Sequence, residues 1–466
     1  YSYLVSLLPQ RIIDDLSLPI SLAKRRYSSF TPVPGSNQGL LIDNLDDNAT
    51  RESFEALGAG EDFAAWMDFY ADTATLARAL FDGVTDPLVM RSEAREHVAS
   101  ASGSDEIWNR FIEKPIGHDI ADRFTHDVVR GVVLTDGLIG TFAPNMDSEL
   151  EANRCFLYHV IGGGTGDWDV PVGGMGAVSG ALTEAARLAG AQLVASAEVL
   201  EITQNNTVRY EKDGVEHSIT ARYVLANSSP RELARLTGGH SISIPGEGAQ
   251  VKVNMVLSRL PKLLDPQVTP EQAFGGTFHI NETWSQLDEA YTSADAGSIP
   301  SPLPCEIYCH SLTDPSILGE ELQQSGAHTL TVFGLHTPHR LTEKYDPDEL
   351  RTLLEAEVLA SLNSVLAEPI EDLLLRDAHG KPCIETKTTH DLEEALRLPG
   401  GNIFHGPLSW PFAEDTDDLS TPAQRWGVDS GIGRIVLCGS GARRGGAVSG
   451  IAGHNAAMAV LEMEAQ

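Results

Sequence analysis

The sequence predicts an α/β fold joined to an α+β fold, and three observations carry that prediction. A hydrophobic run at 435–438 opens into a glycine-dense turn and then a small-residue helical segment at 451–461. A second glycine-dense stretch, 162–176, leads into a regular helix, a hairpin and an apolar strand. Around these lie a long stretch of helical periodicity at 46–160 and extended apolar runs at 250–340, which suit a mixed sheet with helices.

In chain order, residues 1–45 begin with a short helix and continue as strand, turn and strand, with Pro32 and Pro34 restraining the connection between 27–30 and 39–42. Residues 46–160 read as helices: Phe63, Trp66, Met67, Phe69 and Tyr70 share one broad face, and Ile120, Phe124, Val128, Val129 and Val132 share another. In 161–245, a helix starting near Ala177 ends at Gly190. Short strands at 193–195 and 198–202 follow, then a hairpin about Lys212-Asp-Gly214 and a strand at 223–226 that runs into a helix near Arg231. In 246–425, extended runs at 251–257, 306–310 and 329–333 and an amphipathic helix at 347–364 form the mixed-sheet part; 426–466 returns to the first domain.

Composition narrows the function. There are 66 Asp and Glu against 33 Lys and Arg, a formal charge of −33, which should repel nucleic acid and anionic membranes over most of the surface. No apolar stretch approaches the length of a membrane span. The five cysteines form no C-x-x-C pair, which favours reduced thiols in the cytoplasm, or in the mitochondrial matrix of a eukaryote. Cys305 and Cys309 have no second pair or clustered histidine beside them, so no metal site is expected. The opening residues, with no basic leader and no initiating methionine, read as an internal position of a longer chain. Asn281-Glu-Thr283 matches a glycosylation acceptor but lacks a secretory context. No G-x-S-x-G elbow or H-E-x-x-H pattern is present, which weighs against hydrolase and zinc-protease chemistry, and Asp167 and Asp169 on a glycine loop make a poor acid pair.

The C-terminal turn is the most specific signal. A strand feeding a glycine-dense turn and a helix N-terminus lets backbone approach a ligand and presents N–H groups to negative charge, as a nucleotide-containing cofactor requires. Gly439 and Gly441 fall short of the full dinucleotide fingerprint, because Arg rather than Gly stands at 444.

Several motifs in order, namely 29–32 (SFTP), 136–142 (DGLIGTF), 171–176 (PVGGMG), 311–315 (SLTDP), 401–406 (GNIFHG) and 438–441 (CGSG), resemble the phytoene-desaturase-like FAD-dependent oxidoreductases. Within them the sequence is most similar to the branch of pyridine nucleotide-disulfide oxidoreductase domain-containing protein 2. The resemblance implies an FAD/NAD(P)-binding Rossmann-like domain, here lacking its first βαβ unit, with a mixed-sheet and helical substrate domain. It implies FAD as cofactor, bound by Gly173, Gly174, Met175 and Gly176 at one turn, Val199 beside the adenine, Asn227 and Ser228 at a strand end, and Gly439, Ser440, Gly441, Gly446, Val448 and Gly450 at the ribityl and ring side.

On the substrate side the candidates are His159, His405, Arg443, Arg444 and His454, with a structural role the competing reading for each; no residue is assigned a catalytic role. Relatives carry Thr-His-Pro-Gly-Gly-Gly where this sequence has Ala442-Arg-Arg-Gly-Gly-Ala447, and the two guanidiniums either attract an anionic group or pair with surface acids. The implied activity is oxidation or desaturation of a largely apolar, isoprenoid-like small molecule by hydride transfer to flavin. The missing unit is expected from a separate chain or a longer gene product, and homo-oligomerisation stays open. The competing readings are a scaffold protein keeping a degenerate flavoprotein fold, and an NAD(P)H-dependent reductase.

Overall fold

The computed structural model describes residues 4–239, 246–446 and 448–465. Its largest sheet has seven strands in the order Ile384–Lys387, Val251–Leu257, His328–Gly334, Cys305–Tyr308, Thr277–Ile280, Tyr27–Pro32 and Gly39–Asp43. Neighbours are antiparallel except Thr277–Ile280 with Tyr27–Pro32, which run parallel. Strand period 2 sets one face: Val251, Val253, Met255 and Leu257 are buried while the residues between them are only partly so. Against that core packs the helix Pro347–Asn363, whose Leu350, Leu354, Val358 and Leu362 recur every four residues. Asp346 starts this helix by accepting hydrogen bonds from the Asp348 and Glu349 N–H groups, with Pro347 at the first helical position.

Residues 46–160 fold into the expected helices, among them Asp62–Phe81, Ile116–Arg123, Asp127–Thr135 and Glu151–Val160. Phe69 is their hub, with ring centroids 5.4 Å from Phe111, 5.7 Å from Phe124 and 5.8 Å from Phe156. Asp127–Thr135 lies so close to the large sheet that a Cβ at Gly131 would collide with the Glu282 carbonyl. Asn281, the glycosylation match, is buried there and donates to the Leu303 carbonyl and the Ser361 hydroxyl, so it is inaccessible in the folded chain.

A separate three-stranded sheet has Ile435–Leu437 running parallel to Val224–Ala226 and antiparallel to Asp429–Ile432. The helix Ile451–Ala465 packs Ala452, Ala456 and Ala459 against it. The hairpin forms as predicted within the meander Ala197–Ile202, Thr207–Lys212 and Val215–Thr220: Asp213 and Gly214 both take positive φ, 54° and 74°. The strand expected at 193–195 does not form; Leu193 and Val194 are about half exposed and pair with nothing in a ladder. Among the described residues, Val224–Ala226 and Asp429–Ile432 are the edge strands of their sheet. No described helix is long and apolar enough to cross a membrane.

Candidate cofactor and substrate cleft

The parallel strand pair positions the site. The Cys438 N–H donates to the Ala226 carbonyl, extending the ladder by one bond before both chains turn away. Gly439 then crosses Asn227 so closely that a Cβ would stand 2.8 Å from the Asn227 carbonyl oxygen and nearer still to its side chain. At Gly441 a Cβ would meet the Pro230 ring at 2.9 Å and closer. Pro230 is fixed because Ser229 caps the helix Pro230–Leu236, its hydroxyl accepting from the Glu232 N–H. Glycine at 439 and 441 therefore serves close approach of two strand ends. Gly446, at φ 91°, passes over the Tyr158 ring, where a Cβ would be 2.9 Å from it.

This turn walls a cleft of about 150 Å³ whose other sides are Leu157, Tyr158 and Ile161 of the helical layer and the segment 404–411. A second cleft of about 320 Å³ is lined by Phe142, Glu151, Arg154, Glu247, Arg340 and Asn402 among others. Arg154, Phe404, Gly406, Pro407 and Leu408 line both, so the two are continuous. Tyr158 and Phe404 pack edge to face at 5.0 Å across the first.

Charge in the chamber is unevenly committed. Arg340 is held by Glu247 at 2.6 Å and Asp295 at 2.9 Å. Arg154 is looser: its guanidinium donates to the Glu149 carbonyl at 3.2 Å, reaches Glu151 only at 4.0 Å and lies over Trp410. Burial raises the Glu151 carboxyl, with Arg154 opposing. His405 lines the first cleft with its Nδ1 buried and lacking a hydrogen-bond partner among the described residues; burial lowers its pKa, which favours the neutral ring.

Of the residues expected at the cofactor, Ser440, Gly441 and Gly446 line the cleft, and Gly439 and Asn227 form the crossing behind it. Val448 packs into the main core and Gly450, at φ 67°, turns over Ile12 and Leu8. Ser228 is half-buried between Asn227 and the helix cap Ser229, and Val199 packs beside the meander core. Gly173, Gly174, Met175 and Gly176 lie outside the lining of both clefts. Gly173 donates its N–H to Asp314 at 2.7 Å, and Met175 packs against the same core as Val448.

The substrate-side candidates divide. His405 lines the cleft. Arg444 does so too, but its guanidinium donors are taken by the carbonyls of Pro411, Val84 and Asp86. Arg443 bonds the Phe412 carbonyl and Asp417. These arginines therefore tie the turn to its surroundings and present no free cation to a substrate. His159 is buried, donates to the Cys155 carbonyl and lies against Trp168, and His454 packs toward Trp426 outside both linings. The sequence did not single out Arg154, Tyr158, Phe404 or Gly445; the aromatic Tyr158 preceding His159, and Phe404 inside the 401–406 motif, were the available signals.

The seven-stranded mixed sheet, the parallel strand pair and the glycine turn at its carboxyl ends give the fold of the FAD-dependent oxidoreductases. Among solved structures, the fold matches a putrescine oxidase variant from a redesign of cofactor binding (TM-score 0.51, 13% identity, 100% of this chain and 87% of that one) and the PF1083 protein of Pyrococcus furiosus (TM-score 0.50, 11% identity, 99% and 83%). No family model matches the sequence. The chain is 53% identical over 468 residues to the uncharacterized protein Rv0897c of Mycobacterium tuberculosis, covering 99% of this chain and 87% of that protein. It is 30% identical over 378 residues to mouse pyridine nucleotide-disulfide oxidoreductase domain-containing protein 2, covering 74% and 60%. The chain belongs to the family formed by Rv0897c and pyridine nucleotide-disulfide oxidoreductase domain-containing protein 2.

Proposed function

We propose that this chain is an FAD-dependent oxidoreductase that oxidises or desaturates a small molecule with a largely apolar body, of which an isoprenoid chain is one example, and an acidic end. The observation that carries the reading is the cleft itself, where a turn with no room for a Cβ at Gly439, Gly441, Gly445 or Gly446 lies beside His405, whose buried Nδ1 has no hydrogen-bond partner among the described residues. These residues fit the ring-bearing half of FAD, with Ser440, Gly441 and Gly446 lining its cleft and the helix Ile451–Ala465 beginning just beyond. When bound, FAD supplies hydride acceptance. Tyr158, Phe404 and Leu157 exclude water around the reacting centre, and His405 Nδ1 offers a hydrogen bond to a polar atom there. Phe142 and Leu408 line the apolar path, and Arg154, at the junction of the clefts, orients the anionic end.

For the adenosine half, we infer that a G-x-G-x-x-G βαβ unit, supplied by a longer gene product or by a separate chain, pairs with the edge strand Val224–Ala226. Leu225 at 43% and Leu188 at 79% exposure support this, being apolar surface that such a unit would cover. The test is cofactor extraction and visible absorbance of the protein purified with such a unit supplied: stoichiometric FAD, bleached anaerobically by substrate, is expected. Colourless protein that takes up no FAD under those conditions would leave the scaffold reading. In the flavin-loaded protein, Arg154→Ala should raise KM for a carboxylate substrate about 10–100-fold, the worth of a charged hydrogen bond, while leaving KM for its methyl ester nearly unchanged.

A further inference from the structure

Apart from the cleft, the described chain buries one group of metal-ligating side chains: His279, Glu282 and Glu306, each almost wholly inaccessible. His279 and Glu306 face each other on the antiparallel strands Thr277–Ile280 and Cys305–Tyr308. Asn281, at φ 59°, turns the chain so that Glu282 folds back on them. One ligand atom from each residue, an imidazole nitrogen and two carboxylate oxygens, fall within 4.8 Å of one another. His279 Nδ1 is 2.7 Å from Glu282 Oε2 and 3.9 Å from Glu306 Oε1.

The protein's own groups do not fully satisfy this cluster. Thr135 Oγ1 stands 2.8 Å from Glu282 Oε2 and 3.1 Å from Glu306 Oε1, but a hydroxyl has one proton and can donate to only one of them. Glu282 Oε1 is buried with no hydrogen-bond partner among the described residues. Two carboxylates facing each other in a dry interior need compensation, and protons supply it here: burial and Glu282 raise the Glu306 carboxyl, and the His279 imidazole, though desolvated, is raised by Glu282 and Glu306, so a divalent ion would take the place of those protons.

We propose that His279, Glu282 and Glu306 bind a divalent transition-metal ion, of the Zn²⁺ or Mn²⁺ type, that locks the helix Asp127–Thr135 to the large sheet. A one-nitrogen, two-carboxylate set suits such ions. Bonds of about 2.0–2.2 Å require ligand atoms roughly 3–3.5 Å apart, and the three here already lie within 4.8 Å of one another, with the two imidazole–carboxylate pairs at 2.7 and 3.9 Å. Glu282 Oε1 completes a bidentate carboxylate. Thr135 and the Tyr308 hydroxyl, which donates to Glu306 Oε2, hold the ligands from behind. None of the three ligands lines either cleft, so the ion is structural, and this inference stands independently of the flavin reading.

The full chain, produced in medium supplemented with Zn²⁺ or Mn²⁺ and gel-filtered, should hold about one equivalent of metal by elemental analysis, and Glu282→Gln and Glu306→Gln should each lower retention about 10–100-fold. Wild-type protein refolded from denaturant with EDTA should melt at a lower temperature than protein refolded with the ion. Metal below about a tenth of an equivalent in the wild type, or equal melting with and without the ion, overturns the site whether or not the variants fold.

Discussion

Lowering the pH from 7.5 to 5 should remove about 4 kcal/mol of folding stability through His159 and His336 alone. Both imidazoles are buried and neutral: desolvation pushes His159 down to about 4 and His336 down to about 3. His336 is fully inaccessible, packs edge-on against Phe142 and Tyr291, and has no hydrogen-bond partner on either ring nitrogen among the described residues. Between the depressed native pKa and an unfolded value near 6.5, the unfolded chain binds a proton that the native chain refuses. Stability is therefore complete above about pH 6.5 and falls as the pH drops, by about 1.4 kcal/mol per unit for each histidine. Urea melts at the two pH values measure the loss. Because acid also neutralises carboxylates of a chain carrying a formal −33, the decisive comparison is His336→Phe. That variant should lose about 2 kcal/mol less than the wild type over the same interval, and equal losses would refute the assignment.

The features legible in the sequence are those with local causes. The meander turn follows from Asp213-Gly214, the C-terminal strand, turn and helix from an apolar run meeting glycines, and Asp62–Phe81 from its aromatic face. Sheet order is another matter: Tyr27–Pro32 lies beside Thr277–Ile280, and nothing in either segment names its partner. Leu193 and Val194 show the converse, a β-like pattern that forms no strand because no neighbouring strand supplies the missing hydrogen bonds. At the site, glycine spacing pointed to the turn, but side-chain direction did not follow from it. Arg443 and Arg444 look like ligand cations in sequence, yet carbonyls at 411–412 and 84–86 take their donors. Arg154 carries no sequence signal and comes to the cleft only because the helix Glu151–Val160 presents it beside Phe404. The His279, Glu282 and Glu306 group is invisible for the same reason, since strand register alone brings Glu306 opposite His279.

Gly445→Ala should cost the protein its flavin while leaving the large sheet intact. A Cβ at 445 would lie 2.6 Å from the Ala442 carbonyl oxygen, 2.7 Å from that of Gly439, and closer still to that of Ser440. All three are backbone atoms of the same turn, and Cβ has no rotamer by which to escape them. The turn must open, and with it go the bonds from the Ala442 N–H to Gly439 and from the Gly445 N–H to Ala442. Two such bonds at about 1 kcal/mol each, with overpacking strain of about 1–3 kcal/mol, give a local penalty of about 3–5 kcal/mol. If FAD binding requires the turn closed, that penalty appears as a loss of affinity of at least about 100-fold, read by fluorescence titration of the apoprotein. Circular dichroism should stay close to wild type, because the core of the large sheet is formed by a separate set of residues. Gly180→Ala is the control: it sits inside the helix Gly174–Leu188 with nothing within 4 Å of its added Cβ, and should bind FAD as the wild type does while gaining up to about 1 kcal/mol of stability. Undiminished FAD affinity in Gly445→Ala would mean that the C-terminal turn does not hold the cofactor, and the proposed cleft would fail with it.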